Sequence, residues 1–168
     1  PLGGVVVSDK IAAFMDTHTL WSGSTYSGHA LACAAGVATL GVYHDEGLIE
    51  NSARLGVVLA ERFADMKRRH PSVGDVRSIG LVGTIELVRD RTTREALGPR
   101  GGGDPMAAVR AAVRAGGVHT SLWGNYISLG PPLTITEEQL QEGLDVIDGA
   151  LDLADEHVEA TSSDAAAQ

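Results

Sequence analysis

The most chemically suggestive part of the sequence is a loop of glycine, hydroxyl and aromatic side chains that spans residues 21–29 and reads Trp-Ser-Gly-Ser-Thr-Tyr-Ser-Gly-His. It leads into an apolar segment that is predicted to be helical. The first turn of a helix offers unpaired backbone N–H groups and the positive end of the helix dipole, which together with nearby hydroxyl donors can bind a phosphate group. The same pattern is also typical of a purely structural helix start, in which Ser27 caps the helix and Thr25 fills a turn. The residues alone leave both interpretations open.

Lysine chemistry has only two candidates in the chain, Lys10 and Lys67. Lys10 lies in a polar stretch before a helical turn, and Lys67 lies at the charged end of a predicted helix. Neither has the apolar surroundings beside a phosphate that a lysine needs for imine chemistry. We therefore expect both to be ordinary surface lysines.

Metal and thiol chemistry have weaker candidates. Four of the histidines show no metal-ligand spacing, so no metal site is predicted; they are His44, His70, His119 and His157. Cys33 lies inside an apolar helix and is predicted to be inert. As the chain's single cysteine, it has no partner for an internal disulfide.

The first 45 or so residues are predicted to form one strand, a loop and one long helix. Val5–Val7 indicates a short buried strand, and Asp9–Met15 a helical turn. The long helix runs from about His29 to Asp45. Its apolar residues cover most of its faces, so we expect it to be buried on several sides.

The rest of the chain is predicted to be a compact α/β unit. A helix over about Ile49–Arg69 comes first, and a capping box at Thr136–Gln139 opens the final helix, whose apolar face carries Leu140, Leu144, Ile147 and Leu151. Between them we expect strands at Val73–Arg77, Leu81–Arg89, Val118–Ser121 and Tyr126–Leu129, a surface loop at Gly98–Pro105 and a helix at Ala107–Ala115. The polar stretch at 159–168 is expected to be disordered.

Composition narrows the classes of partner. The 168 residues carry a formal net charge of −9, so nucleic acid and anionic membrane surfaces are poor partners. No apolar run is long enough for a membrane span, and there is no visible signal peptide. With a single cysteine, these features favour a cytoplasmic protein.

Four segments, in order, resemble the class III (omega-type) pyridoxal-phosphate-dependent aminotransferases. Residues 23–29 are similar to the family's G-x-T-[FY]-S-G-[HN]-P signature, with Ala30 in place of the proline. Residues 1–5 resemble the stretch after the Schiff-base lysine, residues 75–87 a V-R-G-x-G-L…I-E-L hairpin, and residues 131–136 a P-P-L-x-I-T turn. The likeness is closest to the taurine–pyruvate aminotransferase branch.

The resemblance implies the α/β architecture of fold-type I pyridoxal-phosphate enzymes. Residues 1–46 would supply the end of the large cofactor-binding domain and a bridging helix. Residues 47–158 would form the small C-terminal α/β domain, and residues 159–168 a disordered tail. A homodimer with shared active sites is implied as well.

The resemblance also implies a site for pyridoxal 5'-phosphate. The Thr25 hydroxyl and the main chain of Ser24 would bind the cofactor phosphate of the other subunit. Because neither lysine of the chain suits imine chemistry, no catalytic residue is assigned within it, and the Schiff-base lysine is expected upstream of Pro1. The chain by itself is therefore expected to be inactive.

The implied reaction of the intact protein transfers an amino group from a small-molecule amine or omega-amino acid to a keto acid. Pyruvate is favoured as acceptor, since the segment 120–128 lacks the arginine with which many relatives bind a second carboxylate. Alternatives are an aminomutase or decarboxylase on the same fold, or a non-catalytic fragment or dimer-interface module.

Three other residues have alternative roles. His29 is expected to pack or cap the helix start, or else to lie near the cofactor. Arg77 is expected to pair with a carboxylate in the hairpin, or else to bind a substrate carboxylate. Trp21 is expected to lie in a core, or else to line the pocket entrance.

Overall fold

A computed structural model describes residues 2–99 and 104–158 of the chain. The chain divides into two compact units, Pro1–Gly47 and Leu48–Gln168. Each unit has its own internal contacts. The predicted disordered tail at 159–168, and part of the predicted loop at Gly98–Pro105, lie outside the described residues.

The first unit consists of two helices and connecting loops. Helix α1 spans Asp9–Met15 and helix α2 spans Ala30–Asp45, close to the bounds predicted from the sequence. The predicted buried strand at Val5–Val7 is wrong, because these residues form no strand and are exposed. A strand needs a neighbour to pair its backbone groups, and none of the described residues pairs with this segment.

Helix α2 is largely exposed in this chain, so the burial on several sides that its sequence predicts is not provided by the described residues of the first unit. No residue of α2 is buried, and Leu31 is 74% exposed. Cys33 is exposed as well. Trp21, for which a core position was expected, is 94% exposed. Apolar composition indicates what a helix is able to bury, but burial itself requires a partner element.

The second unit packs three helices against one antiparallel sheet. The helices are α3 (Leu48–Arg69), α4 (Pro105–Ala115) and α5 (Glu137–Asp155). The strands are β1 (Val73–Ile79), β2 (Val82–Asp90), β3 (Glu95–Ala96), β4 (Ser121–Trp123) and β5 (Tyr126–Leu129). Their order in the sheet is β1-β2-β5-β4, and β3 pairs with the far end of β2.

The helices bury apolar faces that the sequence predicts. On α3 the buried face is formed by Leu55, Leu59, Phe63 and Met66, and on α5 by Leu140, Leu144, Ile147 and Leu151. Ile85 of β2 is fully buried and lies opposite Val76 of β1 and Ile127 of β5. Since side chains alternate along a strand, Glu86 and Tyr126 point to the opposite face of the sheet.

The turn between β1 and β2 depends on two glycines. Gly80 has φ +51°, a conformation that favours glycine. A Cβ added to Gly56 of α3 would lie 2.7 Å from the Gly80 Cα atom, so α3 passes directly against the turn. The predicted hairpin is confirmed; β1 extends two residues beyond its predicted end, and β2 begins and ends one residue later than predicted.

The small strands were less predictable. The strand expected at Val118–Ser121 lies instead at Ser121–Trp123, and β3 was not predicted. The predicted helix at Ala107–Ala115 begins two residues earlier, at Pro105, because the Asp104 side chain caps it by accepting a hydrogen bond from the Met106 N–H.

The capping box of α5 is confirmed. The Gln139 N–H donates to Thr136 Oγ1 at 3.3 Å, and the Thr136 N–H donates to Gln139 Oε1 at 3.0 Å. Across the parts of the chain that the structure describes, no helix is long and apolar enough to cross a bilayer.

Candidate functional site

The hydroxyl-rich loop is shaped by two backbone turns. The Ser27 N–H donates to the Ser24 carbonyl at 3.0 Å, and the His29 N–H donates to the Tyr26 carbonyl at 3.2 Å. Gly28 has φ +65°, which lets the chain reverse immediately before α2. The sequence thus delivers three hydroxyl side chains, at Ser24, Thr25 and Ser27, within a few residues of a helix N-terminus.

His29 caps helix α2, and Ser27 does not. The His29 Nδ1 atom accepts a hydrogen bond from the Ala32 N–H at 3.4 Å. The structural alternative in which Ser27 is the cap is therefore wrong, and the expected capping role of His29 is confirmed. Gly28 separates Ser27 from His29, which places the serine two residues too early for the N-cap position.

The hydroxyls of Ser24, Thr25 and Ser27 have no protein partner among the described residues. In residues 2–99 and 104–158, no side-chain hydrogen bond is formed by Ser24, Thr25 or Ser27, and all three residues are exposed. Hydroxyl donors beside the positive end of a 16-residue helix fit a phosphate group in their chemistry. The loop is thus the candidate cofactor-binding site.

The lysines have the surface settings that the sequence predicts. Lys10 is exposed. The Lys67 Nζ atom lies 2.9 Å from Asp75 Oδ1, and both side chains are more than two-fifths exposed. The hydrogen bond from Lys67 holds the pKa of the Asp75 carboxyl below its usual value. Lys67 is therefore engaged in an ion pair at the surface.

Arg77 pairs with carboxylates of the hairpin, as predicted. Its Nη2 atom lies 3.2 Å from Glu86 Oε2, and its Nε atom lies 3.5 Å from Asp75 Oδ2. Arg77 lies on β1 and Glu86 on the neighbouring strand β2. These ion pairs within the hairpin explain the presence of an arginine at position 77 without a bound substrate.

A buried histidine that the sequence did not single out joins the ends of α3 and α5. His70 Nδ1 lies 2.7 Å from Asp155 Oδ2 and 3.8 Å from Asp152 Oδ1, and Nε2 lies 3.0 Å from Asp148 Oδ1. His70, Asp152 and Asp155 have ligand atoms close enough together to hold a metal ion. Each of the close contacts is also satisfied as a hydrogen bond within the protein, so the cluster has a structural explanation.

The cluster belongs to a seam of ion pairs between α3 and α5. Arg62 Nη2 lies 2.6 Å from Asp145 Oδ1, and Arg69 Nη2 lies 2.6 Å from Asp148 Oδ1. The acidic residues of α5 recur at 145, 148, 152 and 155, which places them on one helix face. That stripe was a visible signal, but its basic partners could not be assigned without the packing of α3 on α5.

A cavity of about 730 Å³ opens beside the N-terminal half of α5. It is lined by the segments 118–121 and 128–132 and by α5 side chains that include Gln139 and Leu144. The two serines Ser121 and Ser128 lie on this lining and pair across β4 and β5. None of the lining residues is a lysine or an arginine.

Comparison with known proteins identifies a matching family. The family described as class-III aminotransferases matches residues 1–151. An isoleucine 2-epimerase from Lentilactobacillus buchneri is 39% identical over 155 residues, which is 89% of this chain and 32% of that protein. A diaminobutyrate–2-oxoglutarate transaminase from Halomonas elongata is 35% identical over 153 residues, 84% of this chain and 31% of that protein.

Solved structures give the same result. A taurine:2-oxoglutarate aminotransferase from Bifidobacterium kashiwanohense, in complex with pyridoxal phosphate and glutamate, aligns with a TM-score of 0.79 at 34% identity. The alignment covers 91% of this chain and 34% of that chain. An S-selective transaminase from Arthrobacter aligns with a TM-score of 0.75 at 28% identity, over 89% of this chain and 34% of its own. The chain thus spans about a third of the length of the relatives it matches.

Proposed function

The chain belongs to the class III aminotransferase family, and from that premise we propose that it is part of a pyridoxal-phosphate-dependent aminotransferase. The observation that carries the proposal is the match across residues 1–151, which includes the hydroxyl-rich loop and the second unit alike. Class III aminotransferases use pyridoxal phosphate, and the structurally similar proteins are fold-type I enzymes. We assign residues 1–46 to the end of the large domain and the bridging helix, and residues 47–158 to the small domain.

The cofactor phosphate is proposed to bind at the hydroxyl-rich loop. Thr25 would donate its hydroxyl and Ser24 its backbone N–H, in a homodimer where this loop reaches the other subunit's cofactor. The fit rests on the free hydroxyls of the loop and on the N-terminus of α2 beside them. When bound, the cofactor supplies an electron sink that labilises bonds to the amino-bearing carbon.

The chain's own contribution is to bind and orient, since its described residues place no lysine in the loop. Lys10 is exposed, and Lys67 is paired with Asp75 in the second unit. We therefore propose that the lysine that attaches the cofactor belongs to another part of the full-length protein.

For the substrates we propose an amine or omega-amino acid as donor and pyruvate as acceptor. The named donors of similar proteins, diaminobutyrate and taurine, carry an amino group away from any carboxylate. The absence of lysine and arginine from segment 120–128 supports a keto acid with one carboxylate. A second carboxylate buried there would lack a bidentate partner.

The proposed cofactor site is tested by replacing Thr25 with valine in the full-length enzyme. Loss of one hydrogen bond to a charged phosphate is expected to raise the dissociation constant for pyridoxal phosphate about ten- to a hundred-fold. Thr39→Val is a matched control, because Thr39 lies on helix α2, outside the loop, and among the described residues its hydroxyl donates only to the Ala35 carbonyl. Unchanged affinity in Thr25→Val, measured by equilibrium fluorescence titration, would exclude Thr25 from the site.

A second candidate function is amino-acid epimerisation. The isoleucine 2-epimerase, at 39% identity, shows that the same family includes enzymes with a different outcome at the α-carbon. The two functions are distinguished by incubating the full-length enzyme with an enantiopure amino acid and no keto acid. Loss of optical purity without keto-acid formation supports the epimerase, whereas amine transfer only on adding an acceptor supports the aminotransferase.

A further inference from the structure

We propose that His29 is a positioning residue for the phosphate-binding loop, acting through the side-chain cap that it places on helix α2. The inference rests on the proposed cofactor site at Ser24 and Thr25. His29 would not contact the phosphate; it would hold the loop in the shape that leaves the hydroxyls available.

The cap fixes His29 on both sides of the loop–helix junction. The Ala32 N–H donates to His29 Nδ1 at 3.4 Å, and the Cys33 N–H donates to the His29 carbonyl at 2.9 Å. On the loop side, the His29 N–H donates to the Tyr26 carbonyl at 3.2 Å. One residue therefore satisfies a donor in the first turn of α2 and closes the last turn of the loop.

The ring of His29 also braces the loop. Its centroid lies 5.5 Å from that of Tyr26, with the two planes tilted by 57°, which is the separation of a favourable aromatic pair. Tyr26 directly follows Thr25, so the contact restrains the residue next to the proposed phosphate ligand.

The capping role explains why the hydroxyls of the loop are free. Serine and threonine commonly cap helices, and Ser27 lies only two residues before His29. Because Nδ1 of His29 serves the Ala32 N–H, neither Ser27 nor Thr25 is drawn into the helix start. Removing the cap would leave the Ala32 N–H without its acceptor, and the Ser27 hydroxyl, two residues before the N-cap position, could reach it only if the loop rearranged.

The test compares three substitutions of His29 in the full-length enzyme. His29→Ala removes the cap and the ring, His29→Phe keeps a ring beside Tyr26 but removes the acceptor, and His29→Asn restores a strong cap. His44→Ala is a matched control, because it removes an exposed histidine from the other end of α2. The readouts are the dissociation constants for pyridoxal phosphate and for pyridoxal, which lacks the phosphate.

Replacing an N-cap residue by alanine typically changes the equilibrium constant for forming the helix about three- to thirty-fold. We expect His29→Ala to bind pyridoxal phosphate that much more weakly and His29→Phe to lose less, because it keeps the ring beside Tyr26, while both bind pyridoxal as the wild type does. His29→Asn should regain most of the affinity that His29→Ala loses, and His44→Ala should keep the affinity for both ligands. Equal losses for the two ligands would overturn the proposal, and so would a His29→Asn as weak as His29→Ala. If neither the His29 variants nor Thr25→Val weakens the binding of pyridoxal phosphate, the proposed cofactor site is excluded. If Thr25→Val weakens binding but the His29 variants do not, the site at Ser24 and Thr25 is supported and the positioning role of His29 is excluded.

Discussion

His70 Nδ1 lies 2.7 Å from Asp155 Oδ2, and this contact ties the end of α3 to the end of α5 inside the second unit. The imidazole is only 5% exposed. The other Asp155 oxygen accepts hydrogen bonds from both the backbone N–H and the hydroxyl of Ser72, at 3.0 Å and 2.6 Å. One carboxylate therefore satisfies three donors from the segment that leads from α3 into β1.

Replacing Asp155 with alanine is expected to destabilise the chain by about 2–4 kcal/mol, because the buried Ser72 and His70 donors lose their acceptor. Asp152→Ala is the matched control. Its carboxylate is 77% exposed and 3.8 Å from His70, so its loss is expected to cost less than about 1 kcal/mol. Urea unfolding of the purified variants measures both. Equal losses in the free energy of unfolding for Asp155→Ala and Asp152→Ala would show that the buried contacts of Asp155 do not contribute the expected stability.

Stability is expected to fall on acidification through the ion pair between Lys67 and Asp75. The hydrogen bond from Lys67 lowers the Asp75 pKa in the folded state, so the pair stabilises the fold above the unfolded pKa of about 4. This contribution is lost as the pH falls through the lowered folded pKa. Because both side chains are substantially exposed, we expect less than about 1 kcal/mol.

The measurement is the change in melting temperature between pH 6 and pH 2.5 for wild type, Asp75→Asn and the control Glu142→Gln. Glu142 is exposed and, among the described residues, forms no ion pair. Asp75→Asn should lose less stability on acidification than the other two proteins. The same loss of melting temperature on acidification in all three proteins would show that the ion pair between Lys67 and Asp75 does not contribute to the pH dependence of stability.

The sequence predicts the elements whose signals are local. The apolar spacing of Leu55, Leu59 and Phe63 on α3, and the capping box at Thr136, are periodic or short-range features, and both are present as predicted. The position of β4 is set by its pairing with β5, which a run such as Val118–Ser121 does not encode by itself. Sequence patterns within one segment therefore do not predict which distant segments pair with each other.

In the candidate site, too, the local features were predicted from the sequence and the contacts between distant residues were not. The loop with hydroxyls and a capping role for His29 were both predicted from the sequence, but the competing cap at Ser27 was excluded only by the structure, in which Gly28 turns the chain and His29 is the N-cap. The contact of His70 with Asp155 joins residues 85 positions apart. It was unpredictable because it requires the packing of α3 against α5.

The chain purified alone is expected to transfer no amino group. Incubated with stoichiometric pyridoxal phosphate and reduced with borohydride, it should show no specific adduct, since Lys10 is exposed and Lys67 is held by Asp75. A Lys10→Met/Lys67→Met double variant supplies the background. Turnover together with an adduct mapped by mass spectrometry to either lysine would contradict this prediction.

The last prediction concerns the amino acceptor of the full-length enzyme. The segment 120–128 has no lysine or arginine, and Ser121 and Ser128 lie on the wall of the cavity beside α5. The nearby Arg110 Nη2 points to the Leu122 carbonyl, at 3.5 Å. If the second carboxylate of a keto acid binds at this cavity, it would meet hydroxyls and His119 but no lysine or arginine, so it would lack a bidentate partner, and an unpaired buried charge is costly.

We therefore expect kcat/KM to be higher for pyruvate than for 2-oxoglutarate when both are measured with one saturating omega-amino donor. A preference of about ten-fold or more corresponds to a difference of about 1.4 kcal/mol in transition-state stabilisation. Introducing an arginine by Ser121→Arg or Ser128→Arg should raise kcat/KM for 2-oxoglutarate and so reduce the preference for pyruvate. Ser78→Arg, at an exposed serine of β1 that does not line the cavity, should leave the preference unchanged. The Bifidobacterium enzyme, which is 34% identical to this chain, is named for 2-oxoglutarate, so a preference for pyruvate would distinguish the two proteins. Equal or better use of 2-oxoglutarate by the unmodified enzyme would refute the assignment of pyruvate.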